Sequence, residues 1–231
     1  MKFDIEHGPG FAWLKVGLAP GERIQAEAGA MVRRAPQLEM TTRLNAGRRS
    51  GPFAVLMAFF VALIRRFLGG ETLFVNEYGG THGGEVVLAP ALSGQIMQHS
   101  LRESQRLFVQ RGSYLASTGN IDTRVRWGGL RVLFGGEGLT LLECAGEGEL
   151  FVNSYGGLQE VAVDGRFVVD TGHIVAFEGT LDFRVKSVGG VKSFLFSGEG
   201  LVCEFQGRGK VFIQSRNLSS LVNWLSPMLR S

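Results

Sequence analysis

The sequence predicts an all-β protein built from three tandem β-roll units, with one inserted apolar helix and a short C-terminal helix. Three observations predict it. The chain of 231 residues carries 34 glycines, about twice the ordinary share of ~7%. Those glycines punctuate short runs rich in Val, Phe, Ile and Leu, the pattern of strands separated by turns. And three sequence elements recur in one order, three times, which marks a repeat architecture.

The first element opens with arginine. It occupies residues 23–32, 106–116 and 166–176, with Gly29, Gly112 and Gly172 in step. Each copy is followed by a strand-like close, at residues 38–42, 121–125 and 181–185. In the last close Leu181, Phe183 and Val185 alternate with Asp182, Arg184 and Lys186, so one face is buried and one wet. The second element, Phe-Gly-Gly-Glu-Gly-Leu at 134–139, returns as Phe-Ser-Gly-Glu-Gly-Leu at 196–201, with a shortened form at 67–71. The third, Leu-Phe-Val-Asn-Glu-Tyr-Gly-Gly at 73–80, returns as Leu-Phe-Val-Asn-Ser-Tyr-Gly-Gly at 150–157, 77 residues on, and in degenerate form at 211–216. The units are therefore 1–80, 81–157 and 158–231, each of about eight short strands in a small sandwich or roll. In this reading Gly79-Gly80 and Gly156-Gly157 mark equivalent turns. Asp164-Gly165, between residues 160–163 and 166–169, reads as a tight hairpin.

Helix is expected in two places. Residues 51–68 form an insertion in the first unit, started by Ser50 and Pro52 and stopped by Gly69-Gly70. Residues 217–229 have apolar positions 218, 221, 222 and 225 at helical spacing.

Composition removes several function classes. A formal net charge of +3 is too small to argue for nucleic acid. Two cysteines, Cys144 and Cys203, make no disulfide framework and read as buried reduced thiols. The first residues hold no apolar stretch of the signal-peptide kind, so a cytoplasmic protein is expected. None of the four histidines, His7, His82, His99 and His173, stands in a nucleophile or metal-ligand context. Gly207-Arg208-Gly209-Lys210 lacks the Ser/Thr and the first glycine of a phosphate loop. Glu137, Glu143, Glu147, Glu149 and Glu199 read as the polar face of hairpins. The sequence calls for no catalytic residue, cofactor or metal.

One segment stands out. Residues 53–64 are twelve unbroken apolar residues, bracketed by Arg48, Arg49 and by Arg65, Arg66. Residues 33–66 carry seven arginines against one acid. Crossing a bilayer takes about 18–20 apolar residues, so this run is too short to span. Such a run packs into protein, or lies at a lipid surface with arginines meeting phosphates. Its candidate contacts are Arg48, Arg49, Phe53, Leu56, Phe59, Phe60, Leu63, Arg65 and Arg66.

The repeated octapeptide, the Gly-Ser-Tyr-Leu-Ala at 112–116, the Phe-x-Gly-Glu-Gly-Leu motif and the apolar insertion before Gly69-Gly70-Glu71 resemble the altered-inheritance-of-mitochondria-twenty-four family, over essentially the whole chain. The resemblance implies a fold similar to the tryptophan-RNA-binding attenuator superfamily: short double-stranded β-helix or jelly-roll-like repeats, here triplicated. It also implies symmetric oligomers, and for mitochondrial relatives a link to inner-membrane organisation. It brings no catalytic residues. The expectation is a non-enzymatic scaffold or interaction protein, a homo-oligomer with a trimer favoured. It acts at a membrane surface or on a protein partner through 48–66, on the cytoplasmic side. The alternative is a small-ligand- or RNA-binding β-roll module. Nucleic acid is disfavoured, because aromatic and basic residues interleave only at Arg124-Val125-Arg126-Trp127 and Arg131.

Overall fold

Alternating apolar residues, two apart, decide most of the strands. In the computed structural model, which describes residues 1–44, 74–128, 139–187 and 201–229, those residues fill three cores between curled antiparallel sheets. The protein is all-β, with seventeen strands and one short α-helix among the described residues.

The first sheet runs in the order β1 (Lys2–Glu6), β2 (Trp13–Leu18), β7 (Gly84–Leu88), β4 (Met31–Arg34). The second runs β5 (Glu39–Leu44), β6 (Phe74–Gly79), β3 (Arg23–Glu27), β10 (Tyr114–Thr118), β13 (Gly148–Asn153), β8 (Ile96–Leu101). The third runs β11 (Ile121–Gly128), β12 (Leu139–Gly146), β9 (Arg106–Gln110), β15 (Ile174–Glu178), β17 (Leu201–Gln214), β14 (Leu158–Asp170), with β16 (Asp182–Ser187) also on β17.

Three strand triplets share one order and one register. In β3–β6–β5, Ile24 faces Tyr78, which faces Met40. In β9–β12–β11 the row is Leu107, Cys144, Thr123. In β14–β17–β16 it is Phe167, Phe205, Phe183. The elements that begin at Arg23, Arg106 and Arg166, with their closes, therefore lie on outer strands of triplets of the same order and register.

The octapeptides do not. β6 lies between β3 and β5, whereas β13 lies between β10 and β8. The strands that match β6 are β12 and the first half of β17, so the most conspicuous sequence match joins two different places in the fold. The glycine correspondence changes with it. Gly80, Gly146 and Gly207 hold matching positions two residues past the central row, with φ of +132°, +124° and +122°. Gly80 and Gly146 stand where the chain leaves one sheet for the next, and Gly207 stands inside β17; all three hold a conformation that L side chains rarely adopt.

Asp164-Gly165 also departs from expectation. It makes no reversal: β14 runs on through it and pairs with β17 along its whole length. Gly165 and Gly207 face each other across the ribbon, both at positive φ. Two facing glycines bend a two-stranded ribbon without ending it. β14 and β17 are accordingly long, thirteen and fourteen residues.

The cores are built across the junctions between triplets. Core 1 packs Leu14, Val16, Ile24, Tyr78 and Phe151, and takes Leu115 and Ala116 from β10. Core 2 packs Leu107, Val109, Leu142 and Cys144, and takes Val175 and Ala176 from β15. Core 3 packs Ile174, Phe177, Leu181, Phe205 and Val211. Its Phe177 ring lies 4.9 Å from both Phe183 and Phe205. Both cysteines are buried and unbridged; burial pushes the Cys203 thiol up to about 12.

The C-terminal helix forms as expected. α1 (Leu218–Leu225) is capped by Asn217, whose side-chain oxygen accepts from the amides of Ser219 and Ser220. The insertion at 51–68, expected as a helix, lies outside the described residues. No helix among the described residues is long and apolar enough to cross a membrane.

Candidate binding surface

One carboxylate recurs at the same register position in all three triplets. Glu77, Glu143 and Glu204 each precede the central-row residue of their strand by one. Each therefore points to the opposite sheet face from that residue. In the middle and third triplets the diagonal positions on both flanking strands carry basic side chains, and in the first Arg23 does so on β3, within reach across an antiparallel sheet.

The middle triplet shows the arrangement in full. Glu143 accepts from Arg126 Nε at 2.6 Å and from Arg106 Nη1 at 3.4 Å. Its side chain is 9% exposed, while those of Arg106 and Arg126 are 63% and 57% exposed. In the third triplet Glu204 accepts from both guanidinium nitrogens of Arg166, Nε at 3.0 Å and Nη2 at 2.5 Å, and from Lys186 Nζ at 2.9 Å. The hydrogen-bonded Lys186 ammonium, and then Arg166, hold the Glu204 carboxyl below the usual carboxylate range. In the first triplet Arg23 Nη1 donates to Glu77 Oε1 at 2.6 Å. Beside that pair opens a cleft of about 470 Å³, whose walls include Glu22, Arg23, Gln25, Glu77 and Asn120.

A sheltered carboxylate between two outward guanidinium or ammonium groups fixes their positions and leaves further N–H donors facing water. The middle and third clusters each carry one more positive than negative charge. Such groups receive phosphate or carboxylate oxygens.

The same strands lead to three connecting segments, the first of which holds the apolar, arginine-flanked run. Residues 45–73 connect Leu44 to Phe74, which are cross-strand partners. Residues 129–138 connect the partners Gly128 and Leu139, and residues 188–200 connect Ser187 and Leu201. All three connections thus leave and rejoin the fold at the end of a matching hairpin. Arg48, Arg49, Phe53, Leu56, Phe59, Phe60, Leu63, Arg65 and Arg66 all belong to the first and lie outside the described residues.

Other sequence candidates find structural employment. His173 donates its Nδ1–H to the backbone carbonyl of Gln214 at 2.7 Å. Gly207 and Gly209 lie within β17, paired with β14. Glu149 accepts from Gln98 and Ser100 on the surface of β8, as a hairpin's polar face does. Glu143 does not fit that description: it is sheltered and doubly paired. The signal for it was present, since each aligned element begins with an arginine at 23, 106 or 166.

Comparison with known proteins agrees with this architecture. The family model described as mitochondrial biogenesis AIM24 matches residues 3–216. An uncharacterised protein of Streptococcus pyogenes serotype M6 is 30% identical over 232 aligned residues, covering 99% of this chain and 91% of that protein. The crystal structure of another Streptococcus pyogenes protein superposes with a TM-score of 0.81 at 26% identity, covering 98% of this chain and 99% of that one. The family model reaches both the first and third triplets, and the relatives share the chain from end to end: this protein belongs to the family of mitochondrial biogenesis AIM24.

Proposed function

We propose that the protein is a non-enzymatic scaffold that works at a membrane surface, with residues 48–66 as its lipid contact. The carrying observation is the way that segment is mounted. Leu44 and Phe74 are paired, so twelve apolar residues between two arginine pairs are tethered at both ends to one hairpin. Apolar side chains enter the acyl boundary while flanking arginines take lipid phosphates.

Two further features support the reading. Residues 129–138 and 188–200 hold Leu130, Val132, Leu133, Phe134 with Arg131, and Val191, Phe194, Leu195, Phe196 with Lys192. The three triplets, read as copies of one small roll, present these sequences from matching hairpins. The Arg106–Glu143–Arg126 and Arg166–Glu204–Lys186 clusters supply outward positive charge on the strands that feed them.

Vesicle flotation of the intact protein and of a variant lacking residues 51–66 tests the proposal. Intact protein rises with vesicles containing anionic lipid and the deletion variant stays at the bottom. Equal flotation of both, or none by either, contradicts it.

A further inference from the structure

Two junctions inside the chain show how a triplet is completed by its neighbour. β10 adds to the outer edge of β3 with Ala116 opposite Ala26. β15 adds to β9 with Ala176 opposite Val109. The two registers are the same when the triplets are aligned. Each added strand also delivers two residues to the core it closes: Leu115 and Ala116 to core 1, Val175 and Ala176 to core 2.

The corresponding edge of the third triplet, residues 166–170 of β14, carries no added strand among the described residues. Phe167 and Val169 are only partly buried. At the matching positions Ile24, Ala26, Leu107 and Val109 are all 0% exposed. Val168 on the other face is 47% exposed.

The strand of the adding kind that is left over is β4. It pairs with β7 with a shift between Met31 and Arg33. β10 shows the same shift on β13 between Tyr114 and Ala116, and β15 on β17 between Ile174 and Ala176. Val32 and Arg33 therefore hold the positions of Leu115 and Ala116. Yet all four residues of β4 are exposed, where the first four of β10 and of β15 are all buried. Moreover, the exposed large hydrophobic residues among those described all fall before residue 41 or after residue 167. The middle triplet, flanked on both sides, exposes none among its described residues.

We propose that β4 of one copy adds to the 166–170 edge of β14 in a second copy, head to tail, in the register of the two internal junctions. That register sets Arg33 opposite Val169 and Arg34 opposite Val168. Arg34 then has Asp170 on one diagonal and Arg166, already paired with Glu204, on the other, so the arginine that replaces Ser117 and Phe177 finds a carboxylate beside it. Strand addition satisfies two open edges at once. Being heterologous, the contact builds a ring if its rotation closes and a fibre if it does not; a trimer is the ring that closes at one third of a turn. The contact uses none of residues 45–73, so it stands apart from the membrane reading.

Sedimentation and thiol cross-linking test it. Val32 and Val168 are half exposed, so Val32→Asp and Val168→Arg, which sets a like charge opposite Arg34, leave the monomer folded, as circular dichroism checks. Wild type sediments above monomer mass, and either substitution returns it to monomer. Then Arg33→Cys and Val169→Cys chains are mixed under mild oxidation; in register, their β-carbons come within disulfide range. Cys144 and Cys203 are buried and do not compete. A mixed dimer is expected for this pair, and none when Val169→Cys is replaced by Ile5→Cys on β1. A monomeric wild type overturns the proposal; so do substitutions that leave the oligomer intact, or equal cross-linking of the control pair. Those outcomes would mean that Arg33 and Arg34 guard an edge that stays single.

Discussion

The α-carbon of Gly146 lies so close to the carbonyl oxygen of Asn120 that no side chain fits between them. Gly146 also sits at φ +124°. Gly146→Ala therefore carries both a backbone strain of roughly 1–3 kcal/mol and a collision with a main chain. Gly165→Ala carries the strain alone, since its φ is +106° and nothing lies within 4 Å of the added carbon. Calorimetric melting should show the larger loss at Gly146. Equal losses would remove the close approach from the account.

Glu143 ties three strands together through Arg106 and Arg126. Glu143→Gln keeps the shape and removes the charge. Both arginines are largely exposed, so solvent screens much of the loss, and a cost of about 1 kcal/mol is expected. The pair Glu160–Lys210 has a similar distance of 2.8 Å but side chains 50% and 47% exposed. Glu160→Gln should stay within ~0.5 kcal/mol. Urea titration of the two variants compares them directly, and an equal effect would deny the cluster any special standing.

The Glu204 carboxyl titrates below its ordinary range because Lys186, then Arg166, favours its charged form. A group lowered on folding stabilises the protein fully above its unfolded value, near ~4.3 for a glutamate. That stability is lost as pH falls through the lower folded value. Lys186→Met should move the midpoint of the Glu204 carboxyl-carbon signal up towards ordinary. A midpoint that does not move contradicts the assignment of cause.

His99 on β8 is held below its ordinary value, chiefly by burial, with the Phe212 ring 5.9 Å away edge-on. The neutral ring is the native form. Stability is therefore complete above the ordinary histidine range and declines as pH falls through it and below. His99→Gln should flatten the acid side of the melting-temperature profile between about pH 5 and 7, and an unchanged slope would place that sensitivity elsewhere.

Asn217 holds the first turn of α1 with one side-chain oxygen. Asn217→Ala should cost the helix about 1 kcal/mol and Asn217→Ser much less. Amide exchange across residues 218–225 reads the difference. Identical exchange in both variants would show that the cap carries nothing.

Strand positions were legible in the sequence wherever a strand is wet on one face. Leu181, Phe183 and Val185 turn inward and Asp182, Arg184 and Lys186 outward, as alternation requires. Correspondence between strands was legible where arginine heads the element, at 23, 106 and 166. It was misleading at the octapeptides, because a strand buried on both faces reads the same whichever neighbours it has. Tyr78 and Phe151 are both fully buried, in strands of different sheet position. The Asp164-Gly165 signal failed for a related reason. Positive φ is a local property, and whether it reverses or bends a ribbon depends on the glycine opposite, Gly207, which lies 42 residues away in sequence. For the glutamate clusters the sequence carried half the signal, the arginine heading each element; the partner glutamate lies on a diagonal across strands that only the register identifies.

Vesicle binding by the full chain tests the central claim most directly. Intact protein is presented to zwitterionic vesicles and to vesicles containing phosphatidylglycerol, alongside a variant with Arg48, Arg49, Arg65 and Arg66 all changed to Glu. The account predicts strong, salt-sensitive flotation of the intact protein with the anionic vesicles only, and loss of it in the charge-reversed variant while the β-sheet signal is kept. Retained flotation by the folded variant, or indifference to lipid charge, would contradict it.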